Sequence, residues 1–251
     1  MNVRAHVTKV NDENSRIRGY ADITVENCCK FNGIRIIENK EGELFASYPQ
    51  KPVYENGQPK LDKDGNQVYS DVYFANSKEA NDAIKAVCVE AYQNDGGFAY
   101  INPKQGEFTN ARIEPQLHAC NSDRVQASGR LTVGGYMKVP DVFVNLNENG
   151  KGEKFLSVSY PHYKSGDDYK NFVEPLENGK QWDRENKVEV DCDFKHMIEG
   201  VMKKQTLKFH PELAEVLKAQ KSVDEKIADA KAVADGANGA KGMEPEMEPA
   251  K

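Results

Sequence analysis

No stretch of the sequence approaches the roughly 20 consecutive apolar residues that a bilayer-spanning helix needs, so no membrane partner is expected. The opening residues, MNVRAHVTKVNDEN, lack the apolar centre of a secretory signal, and a cytoplasmic protein is expected. The five cysteines (Cys28, Cys29, Cys88, Cys120 and Cys192) form no CxxC pair and are odd in number, against a disulfide scaffold and against a zinc knuckle. Cys29 and Cys88 fall on apolar faces and read as buried thiols. His6, His118, His162, His196 and His210 share no metal-ligand spacing, so structural roles are expected of them and no metal. The sequence has no GxSxG, no P-loop, no dinucleotide fingerprint and no carboxylate pair repeated along the chain. Enzyme function, a cofactor and a small-molecule substrate therefore have no support in these residues.

A strong charge of one sign is also missing. The net charge is −6 over 251 residues, and residues 211–251, with 6 Lys/Arg against 9 Asp/Glu, carry half of it. The nearly neutral body neither demands nor excludes a nucleic-acid partner, because only a local basic face matters.

What is present is a repeat. RIRGYADITV (16–25) returns as RVQASGRLTV (124–133), 108 positions later. Ile17, Gly19, Ala21, Ile23 and Val25 alternate, as do Val125, Ala127, Gly129, Leu131 and Val133, the period of a strand with one buried face. At the same offset Arg4 matches Arg112, Lys30 matches Lys138, and Ile34 and Ile36 match Val142 and Val144. The offset then grows to 112, where LFASYP (44–49) aligns with LSVSYP (156–161), and the extra residues are expected in the turn-rich loop NLNENGKGE. Each copy opens with four short strands, an antiparallel meander.

A polar excursion follows in each copy and reads as hairpins or flaps off the sheet. In the second, LENGKQ is the expected hairpin turn, and Trp182 is either a packing anchor or a contact residue. A helix closes each copy. Ser77 caps the first, with Ala80, Ala83, Ile84, Val87, Cys88 and Ala91 on one stripe; Asp193 caps the second, with Phe194, Met197, Ile198, Val201 and Met202. Four strands and a helix, twice, predict an α+β fold. The expected divisions are repeat 1 over 1–93, a linker over 94–108, a divergent repeat 2 over 109–210, a helical extension over 211–235 and a disordered tail over 236–251.

The first copy resembles the stage V sporulation protein G family of septation and sporulation regulators. The resemblance lies in VRAHVTKVN, RGYADITV, NGIRIIENKEGELFASYP and DVYFANSKEANDAIKAVCVEAY, in order over residues 1–92. It implies a small domain of sheet and C-terminal helix that dimerises through its sheet, binds DNA or RNA as a regulator, and is no enzyme. Only the strand half of the second copy carries the pattern. The two copies are then expected to pair within one chain as the family's dimer pairs between chains. One departure matters: the family's helix commonly starts with basic residues, whereas Asn81, Asp82 and Ala83 stand in those places here.

Phosphate contacts need Lys, Arg or free backbone N–H groups. The second helix region is the more basic, and Lys195, Lys203, Lys204 and Lys208 are the candidate phosphate patch; Glu199, four residues from both Lys195 and Lys203, could instead make this an ordinary ion-paired face. Arg16, Arg18, Arg124 and Arg130 flank the repeated strand and are the second candidate set, tempered by Asp22 and Glu26 nearby. Arg35, answered by Phe143 in the second copy, reads as an edge or ion-pair residue and implies that the two outer faces differ. The reading is a non-catalytic nucleic-acid-binding regulator with low sequence preference for DNA or RNA; the alternative is a protein-interaction or assembly module that has lost nucleic-acid binding.

Overall fold

The computed structural model describes residues 1–12, 14–102, 112–183 and 185–220, with only the backbone of Trp182. In the first half, β1 (Val3–Lys9), β2 (Ile17–Val25), β3 (Cys29–Glu38) and β4 (Leu44–Ser47) are successive antiparallel neighbours. Their alternation sorts the side chains: Val3, Ala5 and Val7 lie opposite Val25, Ile23 and Ala21, and all six are buried. An arm follows in which β5 (Gln50–Pro52) pairs with β8 (Tyr69–Asp71), beyond which β6 (Tyr54–Glu55) pairs with β7 (Gln58–Pro59). Then come β9 (Phe74–Ala75) and helix α1 (Lys78–Gln93). The Ser77 hydroxyl accepts the Ala80 N–H at 3.2 Å, and Ile84, Val87, Cys88 and Ala91 form the buried stripe.

The segment expected as a linker contributes a strand. β10 (Phe98–Ile101) pairs with the outer edge of β1, burying Ala99 opposite Ala5. The turn into it is made by Gly97 at φ +69°, a left-handed conformation that favours glycine. Polar and glycine-rich flanks hide the alternation of FAYI in the sequence; residues 103–108 lie outside the described residues.

In the second half, β11 (Ile113–Ala119), β12 (Val125–Val133), β13 (Met137–Glu148) and β14 (Lys154–Ser159) repeat the meander. The extra residues do not fall in the loop. Ile36 lies opposite Ala46, whereas Val144 lies opposite Val158, and the β13–β14 ladder then continues to Glu148 opposite Lys154. The insertion is thus two further pairs of facing residues, and an even number on each strand leaves the alternation of faces intact. The turn itself is unchanged: Asn39 Oδ1 accepts the N–H groups of Glu41 and Glu43, and Asn149 Oδ1 those of Lys151 and Glu153.

The second excursion holds the hairpin β15 (His162–Ser165) and β16 (Asp168–Asn171), then β17 (Val173–Pro175), the hairpin β18 (Gly179–Asp183) and β19 (Val188–Cys192), and helix α2 (Phe194–Thr206), capped by Asp193 on the His196 N–H at 2.8 Å. LENGKQ does not turn a hairpin: it joins β17 to β18, and β18 pairs onward with β19. Its glycine serves packing, since a Cβ on Gly179 would stand 2.3 Å from the Phe194 ring and 2.9 Å from the Asn27 carbonyl oxygen. Trp182 lies in β18. A 3-10 turn at Pro211–Leu213 leads into helical residues 214–220, where Gln220 both accepts from the Leu156 N–H and donates to its carbonyl, each at 3.1 Å. The rest of the expected extension and the expected tail lie outside the described residues.

Each half lends a short strand to the other. β9 pairs with β13, Ala75 opposite Met137 and Phe74 opposite Lys138; β17 pairs with β3, Pro175 opposite Cys29 and Glu174 opposite Lys30. The receiving residues, Cys29 and Lys30 against Met137 and Lys138, are again 108 apart. The first sheet thus runs β10-β1-β2-β3-β17, with β4 also on β3, and the second β11-β12-β13-β14, with β9 on β13. One buried core runs through both halves. The fold is α+β with antiparallel sheets, and among the described residues no helix is long and apolar enough to cross a membrane.

Candidate nucleic-acid interface

α2 packs on β11, β14, β17 and β13, laying Phe194, Ile198 and Met202 into the core. Of the candidate lysines, Lys195, Lys203 and Lys204 lie on α2 and Lys208 just beyond its end, and they are not equally available. Lys195 is bonded to Glu177 at 2.5 Å, and that hydrogen bond pushes its ammonium pKa up. Lys203 meets Glu199 at 3.4 Å, and their side chains are only 12% and 20% exposed. Lys204 and Lys208 form no ion pair among the described residues and border a shallow groove with Pro115, Val201 and Gln205. Of the four lysines, these two are the ones a phosphate could reach without displacing a carboxylate among the described residues.

The strand arginines divide in the same way. Arg18 is bonded to Glu38 at 2.5 Å, and Arg130 donates to Gln116 Oε1 at 2.7 Å. Arg16 and Arg124 are exposed at the starts of β2 and β12, with no ion pair among the described residues; their carbonyls accept the N–H groups of Glu38 and Leu146, an equivalent placement in the two halves. Buried Leu117 and Leu131 belong to the face of the second sheet under α2, so Gln116 and Arg130, one residue along their strands, lie on the opposite face. Arg130 and the α2 lysines thus lie on opposite sides of the second sheet.

The start of α1 offers no free cation either: Lys78 is bonded to Asp82 at 2.5 Å, and Asn81 donates to the same carboxylate at 3.2 Å. Arg35 is neither an edge residue nor, among the described residues, part of an ion pair. It lies on β3, between β2 and β4, and donates Nη2 to Ser47 Oγ and the Tyr48 carbonyl at 3.3 and 3.4 Å, while its buried Nε finds no partner among the described residues. The expected contrast with Phe143 holds, since that ring is exposed on β13. No group of three or more His, Cys, Asp or Glu among the described residues could hold a metal ion.

Sequence reasoning missed the open face of the first sheet. Phe98 and Tyr100 fall in the segment expected as linker, although FAYI alternates and carries two aromatics. Arg4 counted only as a repeat match and His6 only as a histidine without metal partners. The structure sets them side by side: His6 stacks on Phe98 with ring centroids 4.4 Å apart, and the Arg4 guanidinium lies 5.5 Å from the Phe98 centroid.

A family model described as SpoVG matches residues 1–94, which span β1 to α1. No curated protein and no solved structure matches the chain.

Proposed function

We propose that the chain is a non-catalytic regulatory protein of the SpoVG type that binds nucleic acid through phosphate contacts with low sequence preference, its two halves pairing as a dimer within one chain. The family match over residues 1–94 carries this reading. Support for the internal pairing comes from the reciprocal strands: β9 lies on β13 where β17 lies on β3, as two copies related by a two-fold axis would exchange them. Support for nucleic-acid contact comes from Lys204, near the end of α2, and Lys208, just beyond it, both exposed and without a carboxylate partner among the described residues.

Fluorescence anisotropy with labelled single- and double-stranded oligonucleotides across a salt series tests the binding. Binding that weakens with salt and in Lys204→Glu/Lys208→Glu is expected, and no binding by the unaltered protein at low salt overturns it. Light scattering tests the pairing: a mass near 28.1 kDa is expected, and a mass twice that, with the halves crossing between chains, counts against it.

A second reading, a protein-interaction or assembly module, draws on the ion pairs Lys195–Glu177, Lys203–Glu199 and Arg18–Glu38, which neutralise three of the eight candidate cations. It predicts stable complexes with a protein partner and no salt-dependent binding of oligonucleotides.

A further inference from the structure

α1 covers one face of the first sheet, and among the described residues the other face is open over β10, β1 and β2. Across that face, Tyr100 lies beside Arg4, Arg4 beside Thr24, and Thr24 beside Lys30. In the neighbouring row Phe98 lies beside His6 and His6 beside Asp22. Phe98, Tyr100 and Tyr20 are 38%, 50% and 45% exposed, on a sheet whose opposite face is dry. Two exposed aromatics on an edge strand invite association unless something covers them. Here they alternate with cations, and Arg4 forms no ion pair among the described residues. Asp22 is the carboxylate in the middle of the face, and it is held by Lys30 at 3.2 Å and by the Gly33 N–H at 3.2 Å.

Beyond Tyr20 the face runs into a cleft of about 510 Å³, within the range of pockets that hold a nucleoside-sized ligand. Tyr20 and Phe172 line it with Tyr163, whose ring centroid lies 4.6 Å from that of Phe172. Arg35 lines it too, with its Nε unpartnered. The backbone at Gly33 comes close under Phe172: a Cβ there would meet the ring at 3.3 Å, and φ is +85°.

We infer that this face binds single-stranded RNA, with bases stacked on Phe98, Tyr100 and Tyr20 and the backbone drawn by Arg4 and Arg35. The inference rests on the nucleic-acid reading above but assigns it a different site and a strandedness. Flat rings on a sheet accept any base by its π-face, while a duplex keeps its bases stacked inside and offers nothing to them. Residues two apart on a strand sit about 7 Å apart on the same face, so Phe98 and Tyr100 can each take a separate base. Thr24, between Arg4 and Lys30 on this face, suits a 2′-hydroxyl, which DNA lacks. A phosphate alone would have no use for the rings, and a purely apolar partner would strand Arg4 and His6.

The test is anisotropy of the full chain with a labelled oligouridine of about twelve nucleotides, the matching oligothymidine DNA and a duplex of the same length. The expected result is preference for the RNA strand, loss of about tenfold or more in Phe98→Ala/Tyr100→Ala, and recovery in Phe98→Tyr/Tyr100→Phe, which keeps the rings. Arg4→Gln, which spares the rings and the fold, should weaken binding and reduce the salt slope by about one counterion. Circular dichroism melts of each variant separate lost binding from lost structure. RNA binding that survives the Ala pair, Arg4→Gln and Tyr20→Ala overturns the site while leaving the broader reading intact. Equal or tighter binding of the DNA strand or the duplex overturns the RNA assignment. No binding of any oligonucleotide removes the broader reading and this one together. A chain that dimerises and becomes monomeric on Phe98→Ala/Tyr100→Ala assigns the face to a second copy instead.

Discussion

The two sheets share a plan and present different chemistry. The open face of the first carries Phe98, Tyr100 and Tyr20 with Arg4 and His6; at the matching offset the second carries Arg112, Glu114, Ser128 and Arg130. Arg112 is spent on Glu114 at 2.5 Å and Arg130 on Gln116, while Ser128 hydrogen-bonds His118 at 2.9 Å, so around the exposed Phe143 ring this face is polar and its charged groups are paired. The first sheet also has an edge strand, β10, that has no counterpart on β11 among the described residues. Buried pairings and the lent strands are alike in both halves, while exposed side chains differ. Packing constrains the first set, because a one-residue slip would turn every core residue outward, and nothing comparable holds the second.

The largest test of that comparison concerns close backbone approach. A Cβ on Gly129 would stand 2.1 Å from the Gln116 carbonyl oxygen, a backbone atom that can move only with its strand. On Gly19, in the first half, the nearest backbone oxygen is Thr8 O at 2.9 Å. Gly129→Ala should cost about 3 kcal/mol in urea unfolding and Gly19→Ala about 1 kcal/mol. Equal costs would mean that the second sheet accommodates the methyl by shifting β11.

The buried tyrosines give the next contrast. Tyr73 and Tyr160 are both held above the ordinary phenol pKa, chiefly by burial. The Tyr73 hydroxyl donates to the Asn32 carbonyl at 2.8 Å, whereas that of Tyr160 has no partner among the described residues. Tyr73→Phe should therefore cost about 1–2 kcal/mol, and Tyr160→Phe should be neutral or stabilising. Unfolded phenols ionise near pH 10 while these stay protonated in the folded state, so their contribution is fully present below pH 10 and is lost as pH rises above it. The melting temperature should fall between pH 9 and 11, and each Phe variant should flatten the fall.

Between the halves, the Tyr136 hydroxyl donates to Glu26 Oε1 at 2.9 Å, which also accepts the Asn2 N–H at 2.9 Å. Tyr136→Phe should cost about 1 kcal/mol. Its double-mutant cycle with Glu26→Gln should show coupling, and additivity would mean that the contact does not link the halves.

The meanders, both helices and both caps were legible because period-two and helical spacing are local: Ser77 and Asp193 sit where the stripes begin. The strand β10 was not, because its alternation is only four residues long and lies between glycines and a proline. The lent strands were out of reach for another reason. Phe74–Ala75 and Val173–Pro175 are too short to show a period, and their partners are distant in sequence, so only the folded chain brings them together. Among the candidate cations, the sequence shows Glu199 four residues from Lys203 but has no means of showing Glu177 beside Lys195 or Glu38 beside Arg18, which meet across strands and loops. Exposure of a basic residue is legible in a sequence; its availability depends on neighbours that folding supplies.

The smallest effect tests what should be the same in both halves. Asn39 and Asn149 each accept two N–H groups of their own turn and donate Nδ2 to a glutamate, Glu43 at 3.0 Å and Glu153 at 2.8 Å. Both turns are exposed, so water replaces what is lost and each Asn→Ala should cost about 0.5–1 kcal/mol. The β13–β14 hairpin stands two residue pairs further from the core than β3–β4, so its tip can fray with less left behind. Asn149→Ala should therefore be the milder of the two in global unfolding, yet the more visible in amide exchange at the hairpin tip. The reverse order would place the longer hairpin in the cooperative core, and Gln220, clamped on Leu156 in β14, would be the contact that holds it there.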